Sequence, residues 1–206
     1  MKQGFVKVAS ATPRIRVADP VYNAQVICEQ AKEAAEHGAK IVVFPELCIT
    51  GYTCNDLFLQ ELLLEKAKEA LLTIAEETGQ LETLFLVGLP VDKDGRLYNV
   101  AAVLYRGRIL GMIPKKNIPM YAEFYEGRHF TPGEETVTEY RLGKQVIPFG
   151  SNLLFRCEEL PELILGCELC EDLWVAEPPS TSHALMGATV IANLSASNET
   201  VSKDDY

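Results

Sequence analysis

Ile41-Val42-Val43-Phe44-Pro45-Glu46 is a run of four apolar residues with no polar alternation, stopped by a proline and followed by a carboxylate. An uninterrupted β-rich run of this kind predicts a strand covered on both faces. Upstream, Asp19-Pro20 has the form of a helix start, with Asp as N-cap and Pro at the first helical position, where its missing N–H costs nothing. Ile27, Ala31, Ala34 and Ala35 then recur at helical spacing, and Gly38 follows as a C-cap, which predicts a helix over roughly 20–37. Phe5, Val6, Val8 and Ala9, before Pro13, predict a first buried strand.

Downstream, Asn55-Asp56 has cap chemistry, and Leu59, Leu63, Ala67, Ala70, Leu71 and Ile74 mark one face of a second helix that Gly79 closes. Leu84 to Val91 predicts a further strand, and the turn signals Asp94-Gly95 and Arg106-Gly107 fold it into hairpins with the strands around Val100–Leu104 and Ile109–Ile113. Strand–helix alternation followed by hairpins predicts a layered α/β domain with a mixed sheet. The segment from Lys115 to Gly150 lacks clean periodicity and predicts loop with short strands. Leu163–Leu169 predicts a strand ending at Cys170, Pro178–Met186 a short helix stopped by Gly187, and Thr189–Leu194 a last strand.

The 206 residues include 19 basic and 29 acidic side chains, a formal net charge of −10, with 48% hydrophobic and 23% charged residues. That mix belongs to a globular chain long enough to bury a core without staples. The acidic excess argues against the basic, phosphate-tracking surface that nucleic-acid binding requires. Apolar stretches such as Leu84–Pro90 stop far short of the ~20 residues that span a bilayer, so no membrane span is expected. The N-terminal residues lack an apolar leader core, which predicts a cytoplasmic protein. The six cysteines are then expected to be reduced, most of them small core residues and one or two of them chemical.

Glu46, Lys115 and Cys170 each fall just beyond a predicted strand, where α/β proteins assemble their sites. A cysteine nucleophile needs a proton acceptor, and acyl transfer needs a positive group or N–H donors where the oxyanion develops. Glu, Cys and Lys can fill those roles. Taken singly, Glu46 also reads as a solvated loop carboxylate, Lys115 as half of a solvated pair with Lys116, and Cys170 as a small buried hydrophobe. Cys167 and Cys170 have CxxC spacing, but there is no second CxxC or histidine cluster to complete a metal site, so no metal is expected. His37, His129 and His183 fit no motif.

The three residues lie in longer motifs. Phe44-Pro45-Glu46-Leu47-Cys48-Ile49-Thr50-Gly51-Tyr52, Pro114-Lys115-Lys116-Asn117-Ile118-Pro119-Met120-Tyr121 and the CELCEDLW stretch from Cys167 to Trp174 resemble, in order and spacing, the glutamate, lysine and nucleophile motifs of the nitrilase, or carbon–nitrogen hydrolase, superfamily. Within it, Glu123-Phe124-Tyr125-Glu126, Cys170-Glu171-Asp172-Leu173-Trp174, Pro178-Pro179-Ser180 and Asn193-Leu194-Ser195-Ala196-Ser197-Asn198 resemble the glutaminase domains of glutamine-dependent NAD synthetases.

The resemblance implies a nitrilase-like α-β-β-α sandwich with mixed sheets over residues 1–206, and hydrolysis of the glutamine side-chain amide. Cys170 would be the nucleophile, Glu46 the general base and Lys115 the oxyanion stabiliser. Glu123 would support them, and Tyr52, Tyr121, Phe124, Glu171 and Ser197 would surround the substrate. It also implies a longer polypeptide, of which this is an N-terminal piece lacking further strands and an ATP-dependent synthetase domain that receives the ammonia. No cofactor is implied in this chain, since ATP and Mg belong to that domain; a homo-oligomer is. Two other readings stand beside it: a free-standing amidase or carbamoylase that uses the same triad, and a non-catalytic interaction module that keeps the fold as a scaffold, against which the intact Glu46, Lys115 and Cys170 argue.

Overall fold

A computed structural model describes residues 4–203. The elements run β1 (Val8–Ser10), α1 (Pro20–Glu36), β2 (Ile41–Val43), α2 (Glu61–Glu77), β3 (Leu84–Lys93), β4 (Arg96–Tyr105), β5 (Arg108–Pro114), β6 (Thr138–Leu142), β7 (Gln145–Phe149), β8 (Leu154–Arg156), β9 (Ile164–Leu169), α3 (Pro179–Leu185) and β10 (Val190–Leu194). Strands β1 to β7 form a seven-stranded sheet in the order β1-β2-β3-β4-β5-β7-β6, and β10-β9-β8 form a second sheet of three. Both sheets are mixed: β1, β2 and β3 are parallel, β3, β4 and β5 antiparallel, and β9 is parallel to β10 but antiparallel to β8.

Local chemistry sets these elements. The Asp19 carboxylate accepts from the Tyr22 N–H (3.1 Å) with Pro20 behind it, which starts α1. Asp94 and Gly95 (φ 53° and 72°) and Arg106 and Gly107 (φ 47° and 75°) make two-residue turns whose twist matches the flanking strands.

Strand alternation then divides the residues between two cores. Val42, Phe85, Val87 and Leu104 face α1 and α2, where Ile27, Ala31, Leu71 and Ile74 cover them. Ile41, Leu86, Val103 and Ile113 face the other way, against Leu165, Cys167, Leu169 and Leu194 of the second sheet. On the far side of that sheet lies α3, where a Cβ on Gly166 would come 2.8 Å from the ring of His183. The layers are therefore helix, sheet, sheet, helix, as the motifs imply.

Two expectations need correction. The first strand is an edge strand and not a buried one: Val8 and Phe5 are exposed, because only β2 pairs with β1. The second helix begins at Glu61, six residues after Asn55. Residues Tyr52–Leu59 instead form 3-10 turns broken at Asn55 (φ 50°, ψ −131°), and Asp56 is turned outward to a bidentate pair with Arg128 (2.8 and 3.0 Å). His183, unassigned from sequence, is fully buried with Nε2 3.0 Å from the Ser151 carbonyl. All six cysteines are unbridged, and five of them are buried. Among the described residues no helix is long and apolar enough to cross a membrane.

Candidate active site

The space between the two sheets is apolar along most of its length and polar at one end. On β4, the inward stripe Val103, Ala101 continues to Asn99; after β5, Ile113 continues to Lys115. Asn99 and Lys115 are both fully buried. The Lys115 N–H donates to the Asn99 carbonyl (2.8 Å), so the lysine extends the β4–β5 pairing by one residue.

Glu46 comes from the turn after β2, which lies back on β3. A Cβ at Gly88 would sit 2.3 Å from the Leu47 nitrogen and 2.7 Å from the Pro45 oxygen, so the close approach requires glycine there. Gly133 has the same role beside Pro114, where a Cβ would come 2.7 Å from the carbonyl oxygen.

Cys170 follows β9 at φ +42°, the left-handed region that a non-glycine residue rarely adopts. Asp172 holds this sharp turn against the lysine segment: its buried carboxylate accepts from Leu169 N (3.0 Å), Asn117 N (2.7 Å) and Asn117 Nδ2 (2.9 Å). Strain at a single buried residue, over-determined by its neighbours, is a common mark of functional sites.

At the centre, Lys115 Nζ donates to Glu46 Oε1 (2.7 Å) and to Glu126 Oε1 (2.6 Å). Asn99 Nδ2 donates to Glu46 Oε1 (2.7 Å) and, at 3.4 Å, to Glu126 Oε2. The Ala196 N–H donates to Glu46 Oε2 (3.1 Å). Glu46 is 1% exposed and Glu126 5%. Two carboxylates thus share one ammonium in a dry place, leaving an excess of one negative charge when all are ionised.

Burial pushes the Glu46 carboxyl above its ordinary range, opposed by the charge of Lys115 and reinforced by that of Glu126. Burial works against the Lys115 ammonium, but its two carboxylate partners outweigh it and hold the lysine charged. The Cys170 thiol is pushed up to about 11, first by burial and then by the Glu46 charge, while Lys115, Ser195 and the Ala196 N–H favour the thiolate. Cys170 is therefore a resting thiol beside a carboxylate whose proton affinity is raised, which is the pairing needed for proton transfer upon attack.

The structure brings Glu46, Lys115 and Cys170 together. It does not place Glu123 with them. Glu123 is exposed and hydrogen-bonded to Asn198, whereas Glu126, three residues on, makes the contact to Lys115. The intervening chain has no regular period, so no local pattern sets the direction of either side chain.

Tyr52 donates to Glu126 Oε1 (2.8 Å) and meets the Phe124 ring edge-on at 6.4 Å; Phe124 in turn meets Tyr121 at 5.7 Å. Tyr121 donates to Glu171 Oε2 (2.7 Å), and that hydrogen bond is the main reason its hydroxyl is pushed up to about 12. Tyr52, Phe124, Tyr121 and Glu171 therefore form one continuous aromatic and acidic wall running from Glu126 to the residue after Cys170. Ser197 lies apart from this wall and accepts from Lys203, which also donates to the Asn198 carbonyl (2.7 Å). Asn99, Glu126, Ala196 and Lys203 were not singled out from the sequence; only Asn99 had a signal, the i, i+2 stripe it shares with Ala101 and Val103.

Cys167 points into the apolar space between the sheets, where burial pushes its thiol well above the ordinary range. It does not pair with Cys170. Among the described residues no cluster of His, Cys, Asp or Glu could hold a metal ion.

Residues 7–204 match the family described as carbon-nitrogen hydrolase. The chain is 41% identical over 202 residues to the glutamine-dependent NAD(+) synthetase of Mycobacterium tuberculosis, covering 98% of this chain and 30% of that protein. It is 34% identical over 204 residues to the synthetase of the same name from Thermotoga maritima, covering 98% and 32%. Among solved structures, a glutamine-dependent NAD(+) synthetase from Cytophaga hutchinsonii superposes with a TM-score of 0.86 at 29% identity, over 97% of this chain and 32% of that one. An amidase from Nesterenkonia sp. shares the fold, with a TM-score of 0.69 at 21% identity over 97% and 68%. The chain spans about a third of the length of the synthetases it matches.

Proposed function

Because the chain belongs to the carbon–nitrogen hydrolase family, we propose that it hydrolyses the side-chain amide of glutamine through a thioester on Cys170, as the glutaminase part of a glutamine-dependent NAD synthetase. The observation that carries this reading is the buried Glu46–Lys115–Glu126 cluster acting on a thiol held at the mouth of an aromatic wall.

The Cys170 sulfur attacks the amide carbon as its proton passes to Glu46, and the carbonyl oxygen becomes an oxyanion facing the Lys115 ammonium. The proton then goes from Glu46 to the amide nitrogen, the C–N bond breaks, and ammonia leaves a glutamyl thioester. A water molecule gives its proton to Glu46 and its oxygen to the acyl carbon; the C–S bond breaks, glutamate departs and the proton returns to sulfur. Lys115, with two of its three N–H groups held by carboxylates, keeps its proton throughout and serves as a fixed charge with its third N–H free to donate. In this reading Glu171 takes the substrate ammonium, and Ser197 with Lys203, set apart from the aromatic wall, takes its carboxylate.

In this reading the ammonia is passed to an ATP-dependent synthetase domain of the same polypeptide, in the cytoplasm, and ATP and Mg act there. Identity of 41% to a synthetase, against 21% to an amidase, favours glutamine over a simple amide. The test is a panel of glutamine, asparagine, acetamide and N-carbamoyl amino acids, followed by ammonia release. Glutamine is expected to be the preferred substrate by at least about 100-fold, because a site with groups for both substrate charges leaves them unpaired when a simple amide binds. Faster turnover of acetamide or a carbamoyl compound would replace this reading with that of a free-standing amidase or carbamoylase.

A further inference from the structure

Asn99, like Lys115, reaches both carboxylates of the cluster, and its side-chain amide is incompletely satisfied. Its Nδ2 donates to Glu46 Oε1 at 2.7 Å and to Glu126 Oε2 at 3.4 Å, while its Oδ1 is buried without a partner. Its main-chain carbonyl meanwhile accepts from the Lys115 main-chain N–H. A buried amide oxygen left unpaired is costly, and turning the amide over would set that oxygen against two carboxylates, which is worse. The arrangement is therefore locked with its donor toward Glu46.

We infer that Asn99 is a positioning residue that sets the proton affinity of Glu46, anchoring Lys115 by its main chain and the base by its side chain. The inference rests on the reading of Glu46 as the base for Cys170. The groups that face Glu46 are Lys115 after β5, Glu126 in the loop beyond it, Cys170 after β9 and Tyr52 from the 3-10 turns. Lys115 is the single cation among them, and Asn99 is the neutral donor that assists it. A hydrogen bond to the charged form of a carboxyl favours that form, so removing the donor makes Glu46 hold its proton to higher pH.

The experiment follows the rate of Cys170 alkylation by iodoacetamide against pH, read by peptide mapping, in the chain as it stands. Base-assisted attack gives this profile an acidic limb set by Glu46. In Asn99→Leu, which removes the donor together with the orphaned acceptor, the limb is expected to move up by about one pH unit. In Asn99→Asp, which is isosteric and adds a third carboxylate, it is expected to move further. Melting temperatures taken alongside separate this from a packing effect. Profiles that superimpose on the unsubstituted chain, with only the melting temperature changed, would overturn the inference and leave the function untouched. A Glu46→Gln chain that kept the acidic limb would instead remove Glu46 as the base, and both readings with it.

Discussion

Cys170→Ala is expected to lower glutamine hydrolysis by at least about 10⁴-fold, with the fold retained. No other sulfur can substitute. Cys167 is sealed between the sheets, and Cys48 is fully buried against Gly88 on β3. What remains after the substitution is a binding wall and a charged cluster with nothing to acylate. Because Cys170 contributes little packing and alanine suffers a comparable penalty at φ +42°, unfolding free energy is expected to change by less than about 1 kcal/mol. Glutamate release and a urea melt on the same preparation check both halves. A chain that lost stability along with activity would leave the role of the sulfur unproven, whereas retained hydrolysis would refute it.

Lys115→Met is expected to have the largest effect on stability. The substitution fits the space but strands Glu46 and Glu126 in a dry site without a counter-charge, and removing one partner of a buried ion pair costs about 3–5 kcal/mol. The sign of the pH dependence follows from Glu46. Its carboxyl, already raised by burial, rises further without the lysine. A carboxyl whose folded value exceeds its unfolded value, about 4.3, gives stability that is fully present below that unfolded value. That stability is lost as pH rises through the folded value. The variant should therefore be weakest at neutral and alkaline pH and approach the parent chain in mild acid. Urea melts at pH 8 and at about pH 4.5 measure this, and a deficit that grew toward acid would contradict the buried-cluster account.

The sequence made Glu46, Lys115 and Cys170 conspicuous because each follows a recognisable strand, and strands β2, β5 and β9 all end at the same place between the sheets. Alternation along β4 also contained Asn99, as the next inward position after Val103 and Ala101, but nothing local distinguished a functional amide from a satisfied one. Glu126 could not be told from Glu123, since a loop without a period gives no facing direction. The expected burial of β1 failed for a different reason: apolarity predicts a strand, while its neighbours decide whether it is covered. At Asn55 a cap signal was real chemistry in the wrong place, because Asp56 found Arg128, 72 residues away, instead of a helix terminus.

The central claim is that Cys170 is a glutamine-directed nucleophile, and trapping tests it most directly. The chain is exposed to the glutamine analogue diazo-oxo-norleucine, with and without excess glutamine, and mapped by mass spectrometry. The account predicts a single adduct on Cys170 that glutamine suppresses. Modification of a different cysteine, or a Cys170 adduct that glutamine does not affect, would contradict it.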